Sequence, residues 1–591
     1  MNAAQQAADH AGALLGALLR GGVTDAVVSP GSRSTPLVLA LHARADQVRV
    51  HVVLDERTAA FVALGLARVQ RRPVVLIATS GSAGGHWLPA VIEASRSRIP
   101  LLLLTADRPV ELQEHGAAQT VPQHNLFSLH VRLFQDLGAP SGRVRWLATA
   151  AARALDAATG VRPGPVHLNL PFRKPLWEPG VASEGPDLPL TRLLRGTPRL
   201  DDAQLDALAK RLAGAARGVI VCGPRDLVER GDAPPAHLLD LADRLGWPVL
   251  AEPTSGARWS AAPSRLIISH ADALLRATDI GDELVPDLIL RIGQVPTSPG
   301  LAGWVARHGE GRTVLVDSAG DWQDPDHVAE LCVVAAVEPL CEALSDRIPE
   351  RTATFSWLER WRVANRTAAA VVAHHGATAT WSGAVARALV TSLPAGALLH
   401  VGSSTAVRAL DTFGGDRAAH LAVSSSRGAN GIDGTLATTL GQALAWSSGP
   451  VVTLLGELTF LHDLGSLRAA VQAGARFTAV ILDNHGGGIF RQLPVAAHPT
   501  ALEPLFTTPQ DADLLALATA SGAVARRCAS LGDLQRELRA SWPHEGVTVL
   551  VVPFDAAFDG ACARDALTAC ADAVREALGL PAEPTATGMG T

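Results

Sequence analysis

The chain has 591 residues, 48% of them hydrophobic, enough for about three or four domains with separate cores, which excludes a single small binding module. Its formal net charge of −6 leaves no basic excess to neutralise a nucleic-acid backbone, so DNA and RNA are poor partners. Tyrosine is absent and lysine occurs only at Lys174 and Lys210, so a tyrosine acid is excluded and Schiff-base chemistry is confined to two positions, while arginine and carboxylate chemistry stay open.

In chain order, the first residues predict an amphipathic helix. Asp9 precedes the apolar stretch Ala11–Leu19 and the first arginine is Arg20, unlike the basic-then-apolar layout of a signal peptide. From Gly22 to about Arg173, β-rich runs at Asp25–Ser29, Val48–Leu54, Pro73–Thr79, Pro100–Thr105 and Pro165–Leu170 alternate with helical stretches, the pattern of a parallel α/β layer. The Pro-, Gly- and acid-containing segment Lys174–Arg199 reads as a linker. A middle region places strands at Gly218–Cys222, Pro248–Leu250, Leu288–Ile292 and Thr313–Asp317, and a second connection runs through Ser345–Thr354. The last region places strands near Ala397–Val401, His420–Ser424, Val451–Leu455, Thr478–Leu482 and Val547–Val552, and the tail after Leu580 reads as frayed. The first and last regions agree in size and class without a visible sequence repeat. The cysteines, at 222, 332, 341, 528, 562 and 570, form no C-x-x-C pair and predict reduced, mostly buried thiols. Apolar runs such as Pro100–Leu104 are strand-length, far below the ~18 residues of a membrane span, so a soluble cytoplasmic protein is expected.

The densest chemistry lies in the last region. Gly456-Glu457-Leu458 closes one apolar strand, and Leu482-Asp483-Asn484-His485-Gly486-Gly487-Gly488 closes the next. One strand–helix–strand crossover separates Glu457 from Asn484 and returns both to the sheet edge where open α/β sheets bind ligands. A carboxylate, an amide oxygen and a glycine carbonyl are hard donors suited to Mg2+, and consecutive glycines let backbone approach an anion closely. Taken by itself, so short a motif is equally an ordinary turn with a solvated glutamate.

The G-[DE]-x…N spacing resembles the diphosphate–metal motif of thiamine-diphosphate enzymes, with Glu457 where aspartate is usual. Further strings follow in order: Val28-Ser29-Pro30-Gly31-Ser32-Arg33-Ser34-Thr35-Pro36-Leu37, Asp55-Glu56-Arg57, Thr79-Ser80-Gly81-Ser82, Thr105-Ala106-Asp107-Arg108-Pro109, Ser426-Arg427-Gly428-Ala429-Asn430-Gly431-Ile432-Asp433-Gly434 and Gly488-Ile489-Phe490. Together they resemble the MenD family, the menaquinone-pathway synthases that form 2-succinyl-5-enolpyruvyl-6-hydroxy-3-cyclohexene-1-carboxylate. The PGSRSTPL and SRGANGIDG strings are specific to that family, whereas the metal motif belongs to its wider superfamily.

The resemblance implies an α/β fold of three parallel-sheet domains: a pyrimidine-binding domain over 1–180, a central domain over 195–345, and a diphosphate- and metal-binding domain over 360–580, with a flexible tail at 581–591. It implies thiamine diphosphate and Mg2+ or Mn2+ as cofactors, with 2-oxoglutarate and isochorismate as substrates. 2-Oxoglutarate would be decarboxylated and the four-carbon remainder added in 1,4 fashion to isochorismate. Glu56 matches the catalytic glutamate that partners the aminopyrimidine; without the companion motifs it reads instead as a helix N-terminal acid stabilised by the macrodipole. It would reach a cofactor held by the last region of a partner subunit, so a homodimer, or a tetramer built from it, is implied. Thr79, Gly81, Ile432, Gly456, Glu457, Leu458, Asn484, Gly486, Gly487 and Ile489 match cofactor positions, with Glu457, Asn484 and Gly486 on the metal. Arg33, Arg108, Arg408 and Arg427, read as loop residues just after apolar strands or their turns, match carboxylate-binding positions, as arginine's planar fork suits two dicarboxylates. Ser32, Gln119 and Ser404 add neutral donors, and Ile489, Phe490 and Leu493 an apolar wall.

Some positions depart from the family. Pro299 stands where relatives often carry a basic substrate contact, Gly84-Gly85-His86-Trp87 replaces an alanine–asparagine pattern, and His485 flanks Asn484 as either a diphosphate contact or a solvent-facing loop residue. Two alternatives remain open: another thiamine-diphosphate decarboxylase or carboligase of the acetolactate-synthase kind, or a degenerate, non-catalytic scaffold. A nucleotide-binding P-loop is excluded because no G-x-x-x-x-G-K-[ST] string occurs.

Overall fold

Runs of apolar residues buried on both faces organise the chain into three six-stranded, wholly parallel sheets. The computed structural model describes residues 2–260, 265–349 and 356–582; the expected tail from 583 onward and the end of the 345–354 connection lie outside the described residues. The first sheet comprises β1 (Asp25–Val28), β2 (Arg49–Val52), β3 (Val74–Ala78), β4 (Leu101–Asp107), β5 (Leu133–Asp136) and β6 (Val166–Pro171), in the order β2-β1-β3-β4-β6-β5. The second comprises β7 (Gly218–Cys222), β8 (Val249–Ala251), β9 (Ile267–Ile268), β10 (Leu288–Ile292), β11 (Thr313–Val316) and β12 (Ala329–Val333), in the order β12-β11-β10-β7-β8-β9. The third comprises β13 (Leu398–Val401), β14 (Ala422–Ser424), β15 (Val451–Gly456), β16 (Phe477–Asp483), β17 (Val524–Arg527) and β18 (Val547–Pro553), in the order β14-β13-β15-β16-β18-β17.

Every strand anticipated from the sequence is present, and the opening helix spans Ala3–Arg20. The pattern missed β5, β9, β12 and β17, each at a sheet edge. β5, β12 and β17 are largely half-exposed or exposed and β9 has two residues, so none carries the continuous apolar run that marks a strand covered on both faces.

Counted within each sheet, the first and third share one strand order, 2-1-3-4-6-5, although their sequences show no repeat. Their order reverses between β1 and β3 and between β13 and β15, the switch points where open α/β sheets bind ligands outside the strands' carboxyl ends. The middle sheet runs 3-2-1-4-5-6 in its own count, and its crevice between β7 and β10 is closed by the chain itself. A Cβ on Gly223 would lie 1.9 Å from the Gln294 carbonyl oxygen, and the Gln294 N–H donates to the Pro224 carbonyl at 3.0 Å.

The first and third domains meet along two crossed helices, Glu56–Gln70 and Thr435–Ala445. Gly65 and Gly441 set the closeness of the crossing: a Cβ on Gly65 would lie 2.2 Å from the Thr438 carbonyl, and one on Gly441 2.1 Å from that of Val62. Phe61, Leu64, Leu436 and Leu440 fill the same core around it, and the buried Thr58 and Ser466 hydroxyls pair at 2.9 Å. The middle domain is tied to the third by Arg258–Asp411 at 3.0 Å and by the Trp259 indole N–H donating to the Gly415 carbonyl at 3.0 Å. All six cysteines are free thiols; Cys222, Cys341, Cys528 and Cys570 are buried. Among the described residues no helix is long and apolar enough to cross a membrane.

Candidate active site

β15 and β16 lie side by side with Gly456 opposite Leu482, so Glu457 and Asn484 emerge together at the third sheet's switch edge. Glu457 opens the helix Glu457–His462 and is buried; its Oε1 accepts the Gly486 N–H. Burial pushes the Glu457 carboxyl up to about 7, opposed by that N–H and by its own. With the Asn484 amide nitrogen turned toward them, it donates to Glu457 Oε1 at 3.0 Å and to the Gly486 carbonyl at 2.7 Å. The opposite amide orientation aims three oxygens at one another, the donor set of a hard divalent cation that keeps positions for phosphate oxygens. Gly486 has φ +130°, and a Cβ there would lie 2.3 Å from the Thr507 carbonyl, so the close approach requires glycine.

These residues line a cleft of about 170 Å3 with walls that are mostly apolar. Ser404, Ile432, Gly456, Glu457 and Leu458 line it together with Asn484, Gly486, Gly487, Ile489 and Phe490. The structure thus gathers ten of the anticipated residues in one place. Leu493 lies outside the lining and is exposed.

Ser404, at the end of β13, has φ +66° and ψ −132°, a strained conformation for a residue with a side chain, costing roughly 1–3 kcal/mol. The helix Thr405–Phe413 begins at once behind it, which corrects the expectation for Arg408: it lies within this helix, not in a loop, with its Nη1 donating to the Ser404 carbonyl at 2.9 Å. Arg427 follows β14 in a loop, and its Nε is buried without a partner. Sequence reasoning missed the group that holds this loop. Glu93, on the first-domain helix Leu88–Arg96, accepts the N–H groups of Gly428 (3.1 Å) and Ala429 (2.7 Å) and the Ser97 hydroxyl (2.6 Å). A Cβ on Gly428 would lie 2.8 Å from the Glu93 carbonyl, so this glycine is what admits the contact.

A second group forms at the first sheet's switch edge. The Arg33 N–H donates to Thr79 Oγ1 at 3.2 Å, and its Nη1 to the Phe172 carbonyl at 2.7 Å. Burial, and then repulsion from Arg108, lower the Arg33 pKa. Asp107 acts on Arg33 as an opposite charge, whereas Arg108 has a buried Nη1 without a partner and so keeps an unsatisfied donor for an anion. Gly81 packs against Gln119, whose side-chain amide donates to the Ser80 carbonyl at 3.1 Å, and Ser32 is exposed beside Arg33. Glu56 is half-buried at the start of its helix, behind the N-cap Asp55, whose carboxylate accepts the N–H groups of Arg57 (2.8 Å) and Thr58 (3.2 Å). Neither Glu56 nor any of these first-sheet residues lines the third-domain cleft. Of the departures, His86 is exposed, His485 is exposed with Nδ1 3.5 Å from the Gln510 carbonyl, and Pro299 is the first residue of the helix Pro299–His308, a position that suits its fixed φ.

Family models match the chain in three blocks. These are the thiamine pyrophosphate enzyme N-terminal binding domain at residues 9–126, the middle domain at 203–401, and the C-terminal binding domain at 409–552. Among curated proteins, the 2-succinyl-5-enolpyruvyl-6-hydroxy-3-cyclohexene-1-carboxylate synthase of Geobacillus kaustophilus is 41% identical, over 85% of this chain and 87% of its own. The synthases so named from Sorangium cellulosum (40%, 91% of each chain) and Listeria innocua (35%, 93% and 95%) are similarly related. In fold, the chain is similar to a thiamine diphosphate-dependent 4-hydroxybenzoylformate decarboxylase of Rhodococcus jostii, with a TM-score of 0.72 and 18% identity over 92% of this chain and 99% of that one.

Proposed function

The chain belongs to the family of 2-succinyl-5-enolpyruvyl-6-hydroxy-3-cyclohexene-1-carboxylate synthases, which are thiamine-diphosphate enzymes, and on that premise we propose that it decarboxylates 2-oxoglutarate and adds the four-carbon remainder to isochorismate in menaquinone synthesis. The observation that carries this reading is an oxygen-donor, glycine-rich cradle at one switch point combined with unmatched guanidinium groups at Arg108 and Arg427. Bound in the cradle, thiamine diphosphate supplies the carbanion centre and the electron sink for decarboxylation. Glu457, Asn484 and the Gly486 carbonyl would hold Mg2+ or Mn2+, and Gly456, Leu458 and Gly487 would flank the diphosphate. Ile432 and Ile489, in the cleft lining, would pack against the bound cofactor.

Glu56, Thr79 and Gly81 complete the site from the first sheet. Because they lie outside the cleft of their own chain, this reading takes a homodimer, or a tetramer of such pairs, in which one protomer's first-sheet edge meets its partner's cleft. Exposed apolar side chains beside both halves support that pairing: Val52 (71% exposed), Leu54 (81%) and Val110 (73%) flank the first-sheet loops, and Leu505 (71%) flanks the cleft. Glu56 would then hold and return one proton at a ring nitrogen of the cofactor. Arg33, Arg108, Arg408 and Arg427, with Ser32, Gln119 and Ser404, position the substrate carboxylates and hydroxyls, against an apolar wall of Ile489, Phe490 and Leu493. The reaction is placed in the bacterial cytoplasm.

Product analysis after mixing the protein with thiamine diphosphate, Mg2+, 2-oxoglutarate and isochorismate tests the reading, and the succinyl adduct plus CO2 is expected. CO2 released from pyruvate in preference to 2-oxoglutarate would instead favour an acetolactate-synthase-like activity. No calorimetric binding of thiamine diphosphate with Mg2+ would favour a non-catalytic scaffold.

A further inference from the structure

The loop that carries Arg427 is held from another domain. Among the described residues, the main chain from Ser426 to Gly431 makes two hydrogen bonds, and both go to Glu93. Its Oε1 accepts the Gly428 N–H at 3.1 Å and its Oε2 the Ala429 N–H at 2.7 Å. One carboxylate thus grips the peptide group that joins Arg427 to Gly428 and the peptide group after it. A Cβ on Gly428 would also lie 2.8 Å from Arg96 Cβ and from Ser97 Oγ, so the loop is pressed onto the end of the helix Leu88–Arg96.

Glu93 is itself fixed on its other side. It is 3% exposed, its Oε1 accepts the Ser97 hydroxyl at 2.6 Å, and Arg68 Nη2 lies 3.5 Å from the same oxygen. Arg68, fully buried on the helix Glu56–Gln70, donates from its Nε to Asp226 Oδ2 of the middle domain at 2.9 Å. Asp226 in turn accepts the Val228 N–H at 3.1 Å. Ser97, Asp226 and Arg427 line one narrow crevice, so this chain of charged contacts and Arg427 lie together where the three domains meet.

We propose that Glu93, held in place by Arg68 and Ser97, is a positioning residue for Arg427, so that within one chain the first domain sets the direction of the third domain's carboxylate-binding arginine. The carboxylate-binding role of Arg427 rests on the synthase reading above. Charge-assisted hydrogen bonds are shorter and stronger than neutral ones, and two from one carboxylate fix orientation as well as distance. Arg427 Nε is buried without a partner, so that nitrogen takes no part in aiming the side chain and the backbone beneath it must. Glu93 does not line the cleft and acts only through the loop. A displacement of about 1 Å in a substrate-positioning group is enough to cost about 10²-fold, so a loosened loop has a measurable effect without any change in the cleft.

Glu93→Gln keeps the shape and exchanges one acceptor for a donor, so one of the two peptide N–H groups loses its partner. In the holoenzyme, KM for the dicarboxylate seated on Arg427, identified as the substrate whose KM rises in Arg427→Ala, is expected to rise about tenfold, with thiamine diphosphate affinity unchanged. Combined with Arg427→Ala, which removes the group being aimed, Glu93→Gln should raise that KM no further; combined with Arg108→Lys, the two effects should multiply. A merely structural role would multiply with both. Should Glu93→Gln fail to fold, Ser97→Ala removes one hydroxyl from Glu93 Oε1 and should give a smaller rise in the same KM. Unaltered protein supplies a second measurement that needs neither turnover nor a variant. Ala429 is exposed, so slow hydrogen exchange at its amide is expected because Glu93 holds it. Fast exchange at Ala429, an unchanged KM in both variants, or effects that multiply with Arg427→Ala overturn the inference. Failure to form the succinyl adduct would count against the synthase reading alone, and the exchange measurement would then still decide whether Glu93 fixes the loop.

Discussion

The first and third sheets share one strand order and place loops at the same switch point, yet their chemistry is opposite. After the second strand of each, the first domain carries Glu56 and the third carries Arg427. After the third strand come Thr79 and Gly81 in one and Glu457 in the other; after the fourth come Arg108 and Asn484. The backbone supplies equivalent places outside the strands' carboxyl ends, and the side chains decide that these places differ in chemistry, an acid against a guanidinium after the second strand and a guanidinium against an amide after the fourth. Two such edges are complementary when brought face to face, as the proposed pairing of protomers requires.

The most severe break in this comparison is Glu56→Gln, which removes the first edge's acid and leaves the third edge intact. Turnover is expected to fall by about 10²–10⁴-fold with thiamine diphosphate still bound, read by steady-state rates beside calorimetry. Undiminished succinyl transfer would sink the assignment. Glu457→Ala strikes the other edge, where Mg2+-dependent binding of thiamine diphosphate should weaken by at least about 10–100-fold. Retained affinity would show that the oxygen set holds no metal.

Smaller effects separate the scaffold from the chemistry. Gly65→Ala puts a methyl against the Thr438 carbonyl in the helix crossing between the two domains. It should destabilise the protein by about 1–3 kcal/mol, seen as a lower denaturant midpoint, and an unchanged midpoint would mean that the crossing opens freely. Arg108→Lys keeps the charge and loses the fork. KM for one dicarboxylate should rise about tenfold, roughly 1.4 kcal/mol, at near-constant kcat, whereas equal losses in kcat and kcat/KM would place Arg108 in transition-state contact instead.

Much of this was legible before the fold was known, for reasons particular to each residue. β3, β4, β6, β7 and β10 stand out because they are buried along their whole length, whereas β5, β12 and β17 are edge strands whose partly exposed faces blur the pattern. Gly456–Leu458 and Asn484–Gly487 could be paired in advance because neighbouring parallel strands end together, so spacing along the chain is a proxy for distance. Arg408 was misplaced because no residue pattern announced that a helix would start immediately after the strained Ser404.

Glu93 had no signal in sequence at all. Glu93 lies in an amphipathic helix and reads as one of its polar positions, and its partners are 335 and 336 residues away. The sequence by itself determined which side chains stand at each strand's end and which runs are buried, because both follow from short-range sterics and from burial of apolar periodicity. Only the tertiary structure decided which ends meet, that the middle crevice is closed, and that Glu56 lies outside the cleft of its own chain. Contacts between domains depend on how whole sheets and helices pack, and local patterning does not encode that arrangement.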